Sequence, residues 1–301
     1  MASWESNIAR QTTKLISDLF FANPMPIQYK KYFLEIPSLL LPNIPNVQVA
    51  SEKIGGVPVE RLTPQKKENG ILLYFHGGGF MFGSPRTHRR MVSRLAKYLH
   101  REAINVDYRL APKHPFPAPI EDAYLVYTAL LNQGISPADI LLGGDSAGGG
   151  LCISLLQELR EKNIELPSGA VLFSPWGDMH GNSVSHVARD ELDPMLQGSK
   201  IGGWAKDYLQ GASPDNPKAS VIFADYTGFP PLLIQVGSDE VLFDDAIRIE
   251  KKAREANVPV QLTVYDKMFH VWQIWAPWVP ESEKALQEVV SWQKSMELGR
   301  T

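Results

Sequence analysis

Short runs rich in apolar and β-branched residues alternate with longer amphipathic runs along most of this chain, and that alternation restricts its fold more than any other feature. GILLYFH (70–76) reads as a buried strand, and Ser84-Pro85 opens the helix after it, with proline at the first helical position. That helix places Met91, Val92, Leu95 and Leu99 on one face. Strand AINVD (103–107), helix APIEDAYLVYTALLN (118–132), strand DILLGG (139–144), a helix over 147–161 and strand SGAVLFSP (168–175) follow. The pattern breaks over 178–224, then resumes with PLLIQVG (231–237), DAIRIEKKAREAN (245–257), VPVQLTVYD (258–266) and a terminal amphipathic helix. Repeated βα units imply a mostly parallel central sheet with helices on both faces.

Ahead of these units, VQVASEKIGGVPVERLTP (47–64) reads as two strands meeting at a Gly55-Gly56 turn, an antiparallel edge to the sheet. The first forty-odd residues mix helix-like sequence with Pro24, Pro26, Pro37, Pro42 and Pro45, which suggests a covering arm. The expected division is an α/β core of residues 46–177 and 224–301 beneath a helical cap of residues 1–45 and 178–223. The 301 residues are enough to bury a substantial core. A net charge of −3 gives no reason to expect nucleic acid or an anionic membrane as partner. No stretch approaches the ~20 apolar residues of a membrane span, and Asp18 interrupts the only apolar run near the N-terminus. The single cysteine, Cys152, excludes an internal disulfide and reads as a small core residue. The expected location is the cytoplasm, and a homodimer is left open.

LLGGDSAGGG (141–150) follows a strand and opens a helix. Such a glycine-rich turn either cradles phosphate or displays a nucleophile. Phosphate cradles carry a Lys-Ser/Thr pair or G-x-G-x-x-G spacing; neither is present, and Asp145 would repel a phosphate. Gly144-Asp145-Ser146-Ala147-Gly148 instead fits G-x-S-x-G, in which small flanking residues let a serine sit on a strained turn with its hydroxyl exposed.

A serine hydroxyl is a weak nucleophile until a base takes its proton. In the G-x-S-x-G arrangement the partners follow in the order serine, acid, histidine. Only His180, His186 and His270 follow Ser146, and the first two lie in the suspected lid. His270 sits after the strand ending near Asp266, one strand–helix–strand unit beyond the acidic cluster of QVGSDEVLFDD (235–245). Parallel strands bring their C-terminal ends to one edge, so Ser146, that cluster and His270 converge there. LYFHGGGFMFG (73–83) supplies the remaining chemistry. Three glycines after a buried strand let backbone N–H groups face a substrate. Two such donors with the Ala147 N–H would hold an oxyanion, a contribution of ~3–4 kcal/mol per donor. His76 reads as a brace for this loop.

HGGGF (76–80), DYRLAPKHPFPAPIEDA (107–123), GDSAGG (144–149), SPW (174–176) and the FH of 269–270 together resemble the bacterial hormone-sensitive-lipase-like (family IV) carboxylesterases, over roughly residues 46 to 275. The resemblance implies an α/β-hydrolase fold with a helical cap, and hydrolysis of short- to medium-chain acyl esters. Carried over by motif, Ser146 is the nucleophile, His270 the base, and Gly78, Gly79 and Ala147 the oxyanion donors; no metal or cofactor is implied. The family's acid motif, Asp-Pro-Leu-x-Asp, differs from Glu240-Val241-Leu242-Phe243-Asp244 here. Aligning the leucine and final aspartate puts Glu240 in the acid's place, with Asp239 one residue early as the competing choice. Asp244 is then expected at a helix N-cap and Asp245 in the first turn.

The leading expectation is a serine carboxylesterase acting on small-molecule esters through an acyl-enzyme. A non-catalytic ligand receptor is the alternative from another class: plant gibberellin receptors resemble the family but lack its histidine, whereas His270 is present here. An amidase or acyltransferase would use the same residues. Phe80, Trp204 and Tyr208 are expected at the pocket, and no exposed apolar lid surface is evident, so acyl chains of about four to eight carbons are expected.

Overall fold

The computed structural model describes residues 2–26 and 29–298. Eight strands form one sheet in the order β1-β2-β4-β3-β5-β6-β7-β8. They are β1 (Val47–Ile54), β2 (Val57–Pro64), β3 (Ile71–Phe75), β4 (Glu102–Val106), β5 (Ile140–Asp145), β6 (Gly169–Phe173), β7 (Leu232–Gly237) and β8 (Val260–Tyr265). The β1–β2 hairpin is antiparallel and joins β4 antiparallel, as the sequence suggests for an edge; the remaining pairs are parallel.

Side-chain alternation on β3 shows how the two faces are covered. Leu73 and Phe75 face a core shared with helices α4 (Ala118–Asn132), α5 (Ala147–Glu161) and α8 (Phe243–Glu255). Leu72 and Tyr74 face one shared with α3 (Pro85–Leu99) and α9 (Pro280–Leu298). Burial on both faces explains why all five β3 residues are inaccessible. Ser84 caps α3 with Pro85 at its first turn, and Met91, Val92, Leu95 and Leu99 form its buried face, as the pattern predicts.

The strand order reverses beside β3: β4 lies on one side and β5 on the other. This is where open parallel sheets leave a crevice at their C-terminal ends. Gly77–Gly79 leave β3 at that point, and Ser146 leaves β5. Helices α1 (Trp4–Ala22), α2 (Lys30–Leu40) and α7 (Gly198–Leu209) line the crevice from above, while the five-residue α6 (Val184–Ala188) packs on α7 and α8.

One expectation about this covering layer is corrected. Helix α1 buries Ser6, Ala9, Thr13, Ser17 and Phe20 and exposes Trp4, Ile8, Leu15 and Leu19; α2 exposes Leu39 and Leu40. An apolar surface is therefore exposed over the crevice. Close approach to the protein selects small residues at Ser6, Ala9, Thr13 and Ser17 on the inner face of α1, while Trp4, Ile8, Leu15 and Leu19 point outward. Among the described residues no helix is long and apolar enough to cross a membrane.

Candidate active site

Ser146 has φ 54° and ψ −122°, a backbone conformation that side chains disfavour by about 1–3 kcal/mol. The surrounding chain enforces it. Ser146 N–H donates to Phe173 O at 2.8 Å, and Ser146 O accepts from Trp176 N at 2.9 Å and Gly150 N at 3.1 Å. The motif glycines are required by close approach: a Cβ on Gly144 would stand 2.4 Å from Gly148 O, and one on Gly148 would stand 2.0 Å from Phe75 O. The strained turn leaves Ser146 on the wall of a cavity of about 420 Å³ that His270 also lines.

Of the four carboxylates in QVGSDEVLFDD, Glu240 is the one that meets His270, with Oε2 at 3.1 Å from Nδ1. Its Oε1 accepts from Ser174 Oγ at 2.7 Å and Gly237 N at 2.6 Å, and both Glu240 and His270 are buried. Because the carboxylate accepts, Nδ1 carries the proton and Nε2 is left free to accept in the neutral ring. Burial works against protonation of His270, but the hydrogen bond and charge of Glu240, aided by Asp193 and Asp145, outweigh it and raise the imidazole pKa above its ordinary value.

The other three carboxylates hold the scaffold. Asp239 pairs with Arg10 of α1 at 2.7 Å, and the same guanidinium donates to Lys267 O and Leu192 O and lies over the Phe269 ring. Asp244 is not the N-cap expected of it. Helix α8 begins at Phe243 with Leu242 in the cap position, so Asp244 falls inside the first turn and accepts instead from Ser185 N at 2.8 Å. Asp245 is in the first turn as expected, yet fully buried, accepting from Gly177 N, Asp178 N and Ser183 Oγ at 2.8, 3.0 and 3.1 Å.

Gly78 and Gly79 line the cavity beside Ser146, with φ 116° and 59°. Gly78 O accepts from Met81 N and Phe82 N at 3.0 Å each, so this loop turns on the carbonyl side. Ala147 is the first residue of α5, where an amide has no acceptor inside its own helix. His76 braces the loop: its ring stacks on Tyr108 at 4.3 Å, and Tyr108 Oη donates to His76 O at 2.6 Å.

Trp204 lines the cavity, together with Phe20, Phe82, Leu196 and Ile201. Phe80 and Tyr208, expected there as well, are not among its lining residues; their rings stack on each other at 4.0 Å and are buried. Adjacency to Gly79 does not fix where the Phe80 side chain goes. At φ 60° its ring packs inward against Tyr208, Trp176 and Tyr108.

Three polar residues escape the sequence reading. Ser174, in SPW, donates to Glu240 and accepts from Val271 N at 3.2 Å, joining the two loops. Asp193 is buried beside the pair and accepts from Val241 N and Met195 N at 3.0 Å each. Burial lifts its carboxyl to about 6; the His270 charge pulls against that rise and the Glu240 charge adds to it. His88 on α3 bonds Asp145 at 3.1 Å. Cys152 is a buried free thiol in the core.

A family model described as alpha/beta hydrolase fold matches residues 72–274. The chain is 41% identical over 234 residues to an acetyl-hydrolase of Streptomyces hygroscopicus, covering 78% of each. It is 37% identical over 260 residues to an esterase of Acinetobacter venetianus, covering 86% of each. A crystal structure of an esterase from the bacterial hormone-sensitive lipase family superposes with TM-score 0.92 at 36% identity, covering 98% of this chain and 99% of that one. The chain belongs to the bacterial hormone-sensitive-lipase-like esterases of the α/β-hydrolase fold. It is a carboxylic ester hydrolase. A crystal structure of EstE5 soaked with p-nitrophenyl butyrate superposes with TM-score 0.91 at 35% identity, covering 98% of this chain and 99% of that one.

Proposed function

We propose that this esterase is a serine carboxylesterase acting through an acyl-enzyme on short- to medium-chain esters. His270 Nε2 takes the Ser146 proton as Oγ attacks the ester carbonyl, and Glu240 holds the imidazole in the Nδ1–H tautomer and stabilises the imidazolium that forms. The amides of Gly78, Gly79 and Ala147 receive the oxyanion. His270 then returns the proton to the departing alcohol, and a water activated by the same nitrogen releases the acid. The observation that carries this reading is the Glu240–His270 bond at 3.1 Å, with its imidazole facing the cavity that strained Ser146 also faces.

Support for the substrate class comes from the cavity. It is lined largely by Phe, Leu, Ile and Trp side chains from residues 1–45, 178–223 and the strand ends, consistent with a helical cap closing over an α/β core. Its size suits a modest acyl chain, and p-nitrophenyl butyrate, the compound soaked into EstE5, is a fitting probe. The receptor alternative gains nothing from the site, because a receptor has no use for a tautomer-fixing acid. Ser146→Ala should remove p-nitrophenyl butyrate hydrolysis and the acyl-enzyme mass adduct while leaving circular dichroism unchanged. Substantial turnover by the purified variant would sink the serine mechanism.

A further inference from the structure

A second buried histidine–carboxylate pair stands against Ser146, on β5 and α3 rather than on the loops that carry Glu240 and His270. Asp145 is 1% exposed, accepting from Tyr74 Oη at 2.7 Å and from His88 Nε2 at 3.1 Å. Both members of the pair line the cavity. The carboxylate packs directly beneath the glycine loop: a Cβ on Gly77 would stand 2.2 Å from Asp145 Oδ2 and 3.1 Å from Ser146 Cβ.

The hydrogen bonds around His88 bear on its charge. Nε2 faces a carboxylate, so it carries a proton. Nδ1 lies 2.7 Å from Thr87 Oγ1 and 3.4 Å from Ser84 O. The Thr87 hydroxyl gives its one proton to Ser84 O at 2.8 Å and accepts from Ser84 N at 3.0 Å, so toward the ring it also accepts. With the Thr87 proton on Ser84 O both ring nitrogens donate, and the surroundings of His88 accommodate an imidazolium. Burial opposes both charges, but the attraction and hydrogen bond within the pair raise the His88 pKa and lower that of Asp145. Among the other ionisable groups that face the pair, His76 and His270 also interact with the Asp145 carboxylate. Burial holds Tyr74, Tyr108 and Cys152 neutral, and the His76 ring is 5.6 Å from that of His88. Glu35 of α2 accepts from Ser84 Oγ at 2.6 Å and only adds negative charge.

We propose that His88 is a charge-compensating residue for ester hydrolysis: its imidazolium cancels the Asp145 carboxylate beneath the glycine loop, so that the oxyanion does not develop beside a bare anion. Acyl transfer places one new negative charge on the carbonyl oxygen, and in a dry site an uncompensated neighbour of like charge opposes it strongly. Asp145 in turn ties β3, α3 and the serine turn together. The inference rests on the reading of Ser146 as nucleophile and of the glycine amides as its oxyanion donors.

The test is a charge cycle with p-nitrophenyl butyrate at pH 7. His88→Gln should lower kcat roughly 10–100-fold with KM little changed. Adding Asp145→Asn should recover most of that loss, because no bare anion remains. A double variant no faster than His88→Gln, or a single variant of normal rate, overturns the proposal. Imidazole 15N spectra of the wild-type enzyme, assigned through bonds within the residue, decide it without any variant folding. Both His88 nitrogens should be protonated at pH 7, and a neutral ring overturns the proposal. An active Ser146→Ala would count instead against the serine reading, and leaves the His88 spectrum as the measure of this pair.

Discussion

Asp239 and Glu240 are consecutive residues whose carboxylates meet opposite partners, Arg10 of helix α1 at 2.7 Å and His270 at 3.1 Å. Neighbouring residues at a strand end cannot address one group together. Each therefore anchors a different part of the site.

Glu240→Ala should lower kcat about 10³–10⁴-fold, because the imidazole loses its tautomer-fixing partner. Glu240→Asp should retain partial activity, since the charge survives on a shorter side chain. Asp239→Ala should cost far less, because its partly exposed ion pair is worth about 1 kcal/mol at most. Its effect should fall more on KM, because Arg10 docks α1 and Thr13, Ile16 and Phe20 of that helix line the cavity. Steady-state kinetics of the three variants, with folding checked by circular dichroism, decide the point. A dead Asp239→Ala beside a near-normal Glu240→Ala would reverse the assignment.

Activity and stability should move in opposite directions as pH rises from about 6 to 9. The active His270 is neutral, and its pKa lies above the ordinary imidazole value of about 6.5, so kcat/KM should climb through a midpoint above that value. Stability follows the other sign. His270 and His186 hold their protons more tightly folded than unfolded, and Asp193 does so up to about 6. Each contribution is full below the unfolded pKa and is lost as pH rises through the folded one. Melting temperatures at pH 6, 7, 8 and 9 should decline steadily while the rate increases. A melting temperature that rises with pH would contradict these upward shifts.

The parts of this architecture that were legible in the sequence are local. Apolar spacing placed β3 and α3, small flanking residues placed the Ser146 turn, and the Leu242–Asp244 alignment singled out Glu240 from its neighbours. The unread parts depend on contacts made only by folding. Ser174 meets Glu240 because β6 and β7 are adjacent, and Arg10 meets Asp239 across 229 positions of chain. His88 meets Asp145 only because folding sets α3 beside the end of β5. Side-chain direction was illegible too, as the inward Phe80 ring and the outward Trp4, Ile8, Leu15 and Leu19 of α1 both show.

Trp204 and Phe80 separate selectivity from stability. Trp204 lines the cavity and stacks on Phe21 at 5.9 Å, so Trp204→Ala should widen the pocket and shift preference toward longer acyl chains. Phe80 is buried away from the cavity, so Phe80→Ala should cost about 3–5 kcal/mol of stability and leave the acyl profile of the folded enzyme unchanged. Rates on p-nitrophenyl esters from four to sixteen carbons test both. The wild type should favour the short end, and faster hydrolysis of the sixteen-carbon ester than of the four-carbon one would refute the proposed substrate range.

Asp244 and Asp245 open the same helix, yet their removal should differ several-fold in cost. Asp244 is partly exposed and its carboxylate accepts from Ser185 N, so Asp244→Ala should destabilise by about 1 kcal/mol. Asp245 is fully buried, and losing it strands the amides of Gly177 and Asp178 and the Ser183 hydroxyl, all directed at that carboxylate. Buried donors left without acceptors cost about 1–3 kcal/mol each, so Asp245→Ala should lose about 3–5 kcal/mol even after local relaxation. Asp245→Asn should fall between the two, since its amide keeps one oxygen for the Gly177–Asp178 pair but gives up the negative charge 3.5 Å from His186 Nε2. Urea unfolding at constant pH measures all three. Equal midpoints for Asp244→Ala and Asp245→Ala would mean that Asp245 serves only the helix dipole, as sequence position alone implies, and not the loop after β6.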